Sequence, residues 1–369
     1  MTSRPANASV AAVVVLVLWL LVGVIFIWMA TRQTRARPLR RALAAGIGVV
    51  LVASSLALLA FDLRVQRGVA RAEAAFESHR TAKLGDIGTT KTLSILPLVD
   101  WHSSDPALQT EMGVSYLVET DSHRILFDVG HNAKQSTPSP LQANMAALGL
   151  GTDDFDTVFI SHNHFDHVGG TRANDEGTFM LGLDHEPLPG KRAFVPLPLR
   201  YPGIEPIVST EPTVIGPGLA STGTIPRQLA FGWIDEQALA VHVEDRGIVL
   251  VVGCGHQTMK KLLERYDDLF DEPLYGVIGG LHYPVPDGRL YALGINLQRR
   301  VASGRGILDP LDMPEVRDEL AMLDARNLGL IGVGGHDSSD EVIAMFRERF
   351  GPAYKDVRVG QRITLPDAD

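Results

Sequence analysis

The chain has 369 residues, 45% of them hydrophobic, a formal net charge of −9 and a single cysteine, which excludes an internal disulfide. A mean hydropathy of +0.08 beside that acidity does not describe a plain soluble enzyme, so the apolar residues must be concentrated somewhere. Residues 1–62 carry +5 and residues 63–92 carry +3, leaving −17 for residues 93–369; so acidic a domain suits a phosphate backbone poorly, and nucleic acid is not an expected partner.

The apolar residues lie at the start. No charge occurs between Arg4 and Arg32, and a second charge-free run spans Ala42–Phe61. A bilayer core of roughly 30 Å needs about 20 helical residues, so residues 8–30 and 42–61 are predicted to be two membrane helices, with Trp28 near an interface. The Ala, Gly and Ser content of the second run permits close helix approach. A cleaved signal peptide is the competing reading of the first run, but its apolar stretch exceeds the usual ~7–15 residues and a second span follows at once. Between the two runs lie Arg32, Arg35, Arg37, Arg40 and Arg41 without an acid. The positive-inside rule puts such a loop in the cytoplasm and the remainder of the chain outside it, although Arg4, Arg64, Arg67 and Arg71 pull the other way. Three segments are therefore expected: an integral membrane anchor (1–62), a basic helical linker (63–92) and an extracytoplasmic domain (93–369).

Within that domain, short β-branched runs at 93–99, 114–120, 124–130 and 157–161 suit strands. A helix is predicted over 138–148, with Pro138 near its first turn. Residues 238–244 and 248–253 pair as a hairpin around Asp245-Arg246-Gly247. Helices are predicted over 257–270, 315–326 and 340–349, with strands at 274–280 and 328–335 between them. Strands first and helix–strand alternation later fit a layered domain with helices outside sheets.

The chemistry concentrates in Ser161-His162-Asn163-His164-Phe165-Asp166-His167-Val168-Gly169-Gly170, a loop directly after an apolar strand. Three imidazoles and a carboxylate within six residues suit a divalent transition ion such as zinc, manganese or iron. His162 and His164 can share one metal while Asp166 and His167 turn toward a second. No Gly-x-Ser-x-Gly elbow is present for serine chemistry; Cys254 beside His256 offers a nucleophile only as a lesser explanation.

This HxHxDH-Gly-Gly pattern resembles the metallo-β-lactamase superfamily, as does the Asp128-x-Gly130 turn that supports the metal loop in that superfamily. The later segments TGTIPR, DEQALAVHVEDRGIVLVVGCGH, VIGGLH and GVGGHD resemble the branch labelled dihydropterin–ribofuranosylaminobenzene-phosphate synthase-like, over roughly residues 93–365. The resemblance implies an α+β fold, an αββα sandwich. It also implies a hydrolase in which two divalent ions, zinc foremost, share a hydroxide that attacks an ester, lactone, amide or phosphoester of a small-molecule substrate. His162, His164 and His256 would bind the first ion; Asp166, His167 and His336 the second, with Asp166 also a candidate proton acceptor.

Some positions stay open. Cys254 sits where relatives have a bridging Asp or a thiolate, yet it also reads as a small buried hydrophobe. His282 is a ligand, a substrate contact or a structural residue. The branch's final His-Cys becomes His336-Asp337, so Asp337 could orient the imidazole. His131 reads as structural, and His79, His102, His123, His185 and His242 have no motif support. The segment Tyr283–Pro314, with Arg289, Arg299, Arg300 and Arg305, is a candidate lid whose arginines either meet an anionic substrate or are solvated. Two other functions compete: a non-catalytic sensing domain on a membrane hairpin, and a di-iron oxidoreductase.

Overall fold

The computed structural model describes residues 7–32, 38–78, 82–301, 304 and 309–366. Arg35, Arg37, His79 and Arg305 lie outside these. The chain divides into two compact units. The first holds the residues up to Ala72 with Gln228–Gly232 and Arg300–Pro310; the second holds Glu73–Arg227, Trp233–Arg299 and Leu311 onward.

In the first unit the apolar runs are helical. α1 spans Asn7–Arg32 and α2 begins at Pro38, continuing without a break to Ser78. Their apolar side chains face outward on every side, among them Leu18, Trp19, Leu21, Ile25, Trp28, Leu43 and Val50. A helix apolar all round is not the amphipathic helix of a soluble surface; both are long and apolar enough to be candidate membrane spans. They cross at Gly23 and Gly48, where a Cβ on Gly48 would lie 2.6 Å from the Gly23 carbonyl oxygen. Only small residues let backbones approach so closely. At 1.5 Å per residue α2 is about 60 Å long, roughly twice a hydrocarbon core, so its charged second half has length to spare beyond a bilayer.

In the second unit β1 (Leu93–Val99), β2 (Ser115–Thr120) and β3 (Arg124–Phe127) form an antiparallel meander. After α3 (Pro140–Ala147), β4 (Thr157–Phe159) joins β3 in parallel. The short α4 (Thr171–Glu176) then leads to β5 (Arg192–Val195) and β6 (Ile207–Val208), also parallel. The chain next forms β7 (Thr213–Gly216), β8 (Leu219–Ser221) and a hairpin of β9 (Ile225–Leu229) and β10 (Gly232–Glu236). A second hairpin follows, β11 (Leu239–Val243) and β12 (Gly247–Val252). Beyond α5 (Met259–Leu269), β13 (Leu274–Gly279) runs parallel to β12. A small hairpin, β14 (Tyr291–Ala292) and β15 (Ile295–Asn296), precedes α6 (Leu297–Val301) and α7 (Met313–Asp324). β16 (Leu330–Val333) adds parallel to β13; α8 (Asp340–Phe350) follows, and β17 (Ile363–Leu365) returns to the edge of β1.

Two sheets result, ordered β17-β1-β2-β3-β4-β5-β6 and β16-β13-β12-β11-β8-β7. Side-chain alternation along a strand explains the layering. From β12, Val249 and Val251 point into the core between the sheets, which also takes Ile95, Phe127, Phe159 and Ile278. Its alternate residues Ile248, Leu250 and Val252 pack under α5, α7 and α8 against Leu262, Val316 and Phe346. On the other side Leu126 and Val158 meet Leu141 and Met145 of α3. The order is helix, sheet, sheet, helix, an α+β sandwich.

α7 starts two residues earlier than its apolar periodicity suggests. Asp312 accepts from the Glu315 amide at 3.1 Å while Glu315 accepts from the Asp312 amide, closing a capping box ahead of Pro314. β5 to β10 are strands the sequence pattern does not single out, being only two to five residues long.

The parallel strands matter most for function. β4, β12, β13 and β16 all release their chains at carboxyl ends, where open α/β sheets place their sites.

Candidate metal centre

The loop after β4 is stitched down before its imidazoles are considered. The His167 amide donates to the His164 carbonyl at 2.9 Å, the Val129 amide to the His167 carbonyl at 2.9 Å, and the Gly169 amide to the Gly130 carbonyl at 2.8 Å. Asp128, fully buried at the end of β3 with φ of 55°, is its main support. Its Oδ1 accepts from the Ser161 amide at 2.7 Å, and Oδ2 from Ser161 Oγ and His167 Nδ1, both at 2.7 Å. With Nδ1 so engaged, His167 presents Nε2 inward. Ser161 Oγ likewise lies 2.9 Å from His162 Nδ1, leaving that ring's Nε2 inward.

The remaining ligand candidates come from the second sheet. Cys254 and His256 follow β12, His282 follows β13 and His336 follows β16. Their ligand atoms form overlapping groups within 4.8 Å: His162, His164 and His256; His162, His167 and Cys254; Cys254, His256 and His282; and Cys254, His336 and Asp337. Cys254 Sγ lies 3.5 Å from His336 Nε2 and 3.6 Å from His282 Nδ1. Asp166 stands just outside these groups, with Oδ2 3.9 Å from His167 Nε2. His131 packs its ring 4.8 Å from Phe165, beside the loop. His102 pairs with Asp340, His123 with Ser122 and His185 with Thr178, none of them in a ligand group, and His242 lies on β11.

Two buried carboxylates shape the second-sheet side, and sequence reasoning gave them no role. Glu236, at the end of β10, accepts from the amides of Cys254 (2.9 Å) and Gly255 (2.8 Å) on Oε1 and of His256 (2.8 Å) on Oε2. It thus fixes the turn that carries both residues. Asp100, at the end of β1, accepts from the Gly335 amide at 2.8 Å and the Tyr116 hydroxyl at 2.9 Å, holding the His336 loop. Gln237 ties the sheets together. Its Nε2 donates to the Ile160 carbonyl at 2.9 Å, and its Oε1 accepts from Ser209 and Ser221. Glu236 and Gln237 stand in the DEQAL segment, so the signal was an acidic-amide pair at a strand end. Asp337 accepts from the His282 amide at 3.0 Å and lies 3.5 Å from His336 Nε2.

Arg289 fits neither alternative raised for it, a substrate-facing or a solvated guanidinium. It donates to the carbonyls of Gly335 and Ser338, both at 2.8 Å, pairs with Asp340 at 2.6 Å and stacks over Trp101. It secures the His336 loop. Arg299 is likewise engaged, donating to the Leu311 carbonyl.

The electrostatics suit a cation. Burial first, then neighbouring imidazoles, hold His162 and His256 well below the ordinary histidine value, and burial takes His164 down to about 4. All three are neutral and offer lone pairs. Burial opposes charge on His167 as well, but Asp128 and Asp166 outweigh it and lift the ring to about 9. Asp166 and Asp337 are held below the usual carboxylate range by adjacent histidines, against the effect of burial. Burial, then Asp337 and Asp166, push the Cys254 thiol well up, so without a cation it is a poor nucleophile. Glu236 is pushed up to about 7 by burial, against its three amide bonds.

Buried polar atoms almost always have partners. Here Nε2 of His162, His167 and His282, Nδ1 of His336 and both ring nitrogens of His256 have none within the protein. Inward nitrogens, a thiol and carboxylates, oriented from behind by hydrogen bonds, fit a divalent metal.

Residues 108–173 match the family model described as the metallo-beta-lactamase superfamily. The chain is 26% identical to 7,8-dihydropterin-6-methyl-4-(beta-D-ribofuranosyl)-aminobenzene-5'-phosphate synthase of Methanocaldococcus jannaschii, over 54% of this chain and 80% of that protein. An uncharacterised protein of the same archaeon is 27% identical over 46% and 72% of the respective lengths. Among solved structures, a metal-dependent hydrolase of the beta-lactamase superfamily aligns with a TM-score of 0.49 at 20% identity, covering 73% of this chain and 98% of its own.

Proposed function

We propose that the chain is a member of the metallo-beta-lactamase superfamily and a membrane-anchored, metal-dependent hydrolase acting on an ester, lactone, amide or phosphoester of a small molecule. The observation that carries this reading is the set of partnerless buried imidazole nitrogens at the carboxyl ends of β4, β12 and their neighbours. His162, His164 and His256 would hold one divalent ion. Asp166, His167 and His336 would hold a second, with Cys254 between them. Nitrogen and thiol donors in this proportion favour zinc over the carboxylate-rich sets of di-iron centres.

Bound there, divalent metal supplies Lewis acidity and makes water a usable nucleophile at neutral pH. The chain's own residues do the rest. Asp128 fixes the tautomer of His167 by accepting from Nδ1. Asp166, kept ionised by His167 and His164, is placed to accept a proton. Glu236 and Asp100 hold the two second-sheet loops at fixed separation from the first. His282, at the rim beside Cys254, is the residue best placed to contact substrate.

On this reading residues 1–62 anchor the protein through α1 and α2, residues 63–92 form a basic linker, and residues 93–369 are the catalytic domain. The arginines between Arg32 and Arg41 favour an extracytoplasmic position for that domain.

The test uses full-length protein in detergent, with metal content measured alongside turnover on a panel of phosphodiester, lactone and ester substrates. Zinc at one or two equivalents with turnover on one class is expected, and both should vanish in the double variant His162→Ala, Asp166→Ala. Full turnover in that variant without metal would sink the reading. Bound metal with no turnover on any class would favour a sensing domain, and bound iron with oxygen consumption an oxidoreductase.

A further inference from the structure

Residues 93–369 carry two apolar hairpin tips that the hydrophobic core does not use. Phe231, between β9 and β10, is 81% exposed, with Trp233 beside it at 39%. Leu293, between β14 and β15, is 100% exposed, and Leu290, Tyr291 and Ile295 flank it, each more than 40% exposed. Residues 290–296 contain no charge. Single exposed apolar residues are ordinary; an uncharged run of them at a hairpin tip is not, unless something covers it.

Position suggests the cover. The tip Gln228–Gly232 belongs to the same compact unit as α1 and α2. Within that unit Gln228 sits against Gly68 of α2, its side-chain oxygen 2.3 Å from where a Cβ on Gly68 would be. Gly68 is seven residues past Phe61, the last of the charge-free run, so it lies about 10 Å further along the helix axis. The interfacial layer outside each face of a hydrocarbon core is roughly 5–8 Å deep, so Gln228, three residues from Phe231, lies just beyond it. Arg64 and Arg67 of α2 are exposed at the same level, a charge suited to anionic headgroups. Leu293 stands seven residues before Arg300, which groups with α1 and α2.

We propose that the tips at Phe231 and Leu293 are interfacial contacts with the lipid bilayer that α1 and α2 span. Aromatic and large aliphatic side chains enter the headgroup boundary, where the apolar ring is dehydrated and the backbone turn stays wet. This rests on the membrane-anchored reading above.

The test places the full-length protein in nanodiscs of phosphatidylcholine and phosphatidylglycerol. A bimane label goes on one introduced cysteine at a time: Phe231→Cys, Leu293→Cys, Val22→Cys in α1 and Asp153→Cys on an exposed 3₁₀ turn. The native Cys254 is buried, and unsubstituted protein measures its background labelling. Acyl-chain doxyl lipids quench from within the bilayer and iodide from water. Labels at positions 231 and 293 should lose emission to doxyl lipid as the label at 22 does, while the label at 153 responds to iodide alone. If 231 and 293 behave like 153 while 22 is quenched by lipid, the contact is refuted and the anchor stands. If 22 is also unquenched by lipid, the anchor fails and the contact with it. Protection of 293 from both quenchers, with two such labels close together across copies, would assign the tip to a second chain and overturn the proposal.

Discussion

The loop after β4 and the turn after β12 bring histidines to one centre, but they are supported differently. The first is long, rich in imidazole, and held by Asp128 through a hydrogen bond to a ring nitrogen and two to Ser161. The second is short and carries only Cys254 and His256, and Glu236 holds it entirely by backbone amides. One carboxylate controls a side chain's tautomer and the other a turn's shape. Losing the first should therefore damage chemistry and packing together, and losing the second chiefly geometry.

The strongest break in that comparison is Asp128→Ala. It strands the Ser161 amide, the Ser161 hydroxyl and His167 Nδ1 without an acceptor in a fully buried place. Removing one partner of a buried pair costs about 3–5 kcal/mol, and losing a ligand-orienting carboxylate weakens metal binding by roughly 10–100-fold. Urea midpoints and competition with a chromogenic chelator should both fall, and Asp128→Asn should recover part of the stability without restoring affinity. Unchanged chelator competition in Asp128→Ala would mean that His167 needs no orientation.

Glu236→Gln is milder. The retained oxygen can still serve the Cys254 and Gly255 amides, but the new NH₂ faces the His256 amide, donor against donor. An unmet buried donor costs about 1–3 kcal/mol. Metal affinity should fall less than in Asp128→Ala, and the loss should be confined to the His256 side. If cobalt fills both of the proposed positions, the d–d spectrum should change in the bands of one ion only; an equal change in both would erase the distinction between the two supports.

The loops meet at Gly253, where a Cβ would lie 2.1 Å from Ser161 Oγ and 3.1 Å from Asp128 Oδ2. Gly253→Ala should therefore disturb both supports at once. Overpacking of this kind costs about 1–3 kcal/mol, part of it relieved if Ser161 rotates away and gives up its bond to Asp128. Removing that hydroxyl with Ser161→Ala should rescue the alanine variant only in part, because Ser161 Cβ stays 2.6 Å from the added carbon; no rescue at all would place the strain in the backbone.

The two loops also differ in how far the sequence discloses them. The β4 loop is legible because all its chemistry is local: strand, His162, His164, Asp166 and His167 lie within a dozen residues. Asp128 could be named as its support only through the family resemblance that its Asp-x-Gly turn carries. The β12 turn is not legible in that way. Glu236 is 18 residues from Cys254 and acts on amides that any sequence would supply, so no residue type betrays the contact. Asp100 reaches Gly335 across 235 residues. Arg289 misled for the opposite reason: an arginine in a long loop reads as solvated or substrate-facing, and only the fold brings the Gly335 and Ser338 carbonyls to it. Helices layered outside sheets were legible from strand runs and late helices, and the αββα sandwich only through the family resemblance, whereas β5 to β10 were too short for any period to show.

The smallest effect concerns a support further from the centre. Glu319 on α7 accepts from the Tyr283 hydroxyl at 2.7 Å, next to His282. Burial, against that bond, pushes Glu319 up from 4.5 to about 7. A carboxyl whose folded value exceeds its unfolded one binds protons more tightly when folded. Its contribution is thus most favourable below pH 4.5, declines as pH rises toward 7 and is flat above. Because Glu319 is partly exposed, solvent screening reduces the size of this to on the order of 1 kcal/mol. Glu319→Gln keeps an acceptor for Tyr283 and removes the titration. Between pH 4.5 and 7.5 the urea midpoint of this variant should change less with pH than that of the unsubstituted protein, the two converging at the acid end. Parallel pH dependence in both proteins would show that Glu319 is already ionised in the folded chain, and that Tyr283 is held by a charge, as the β4 loop is.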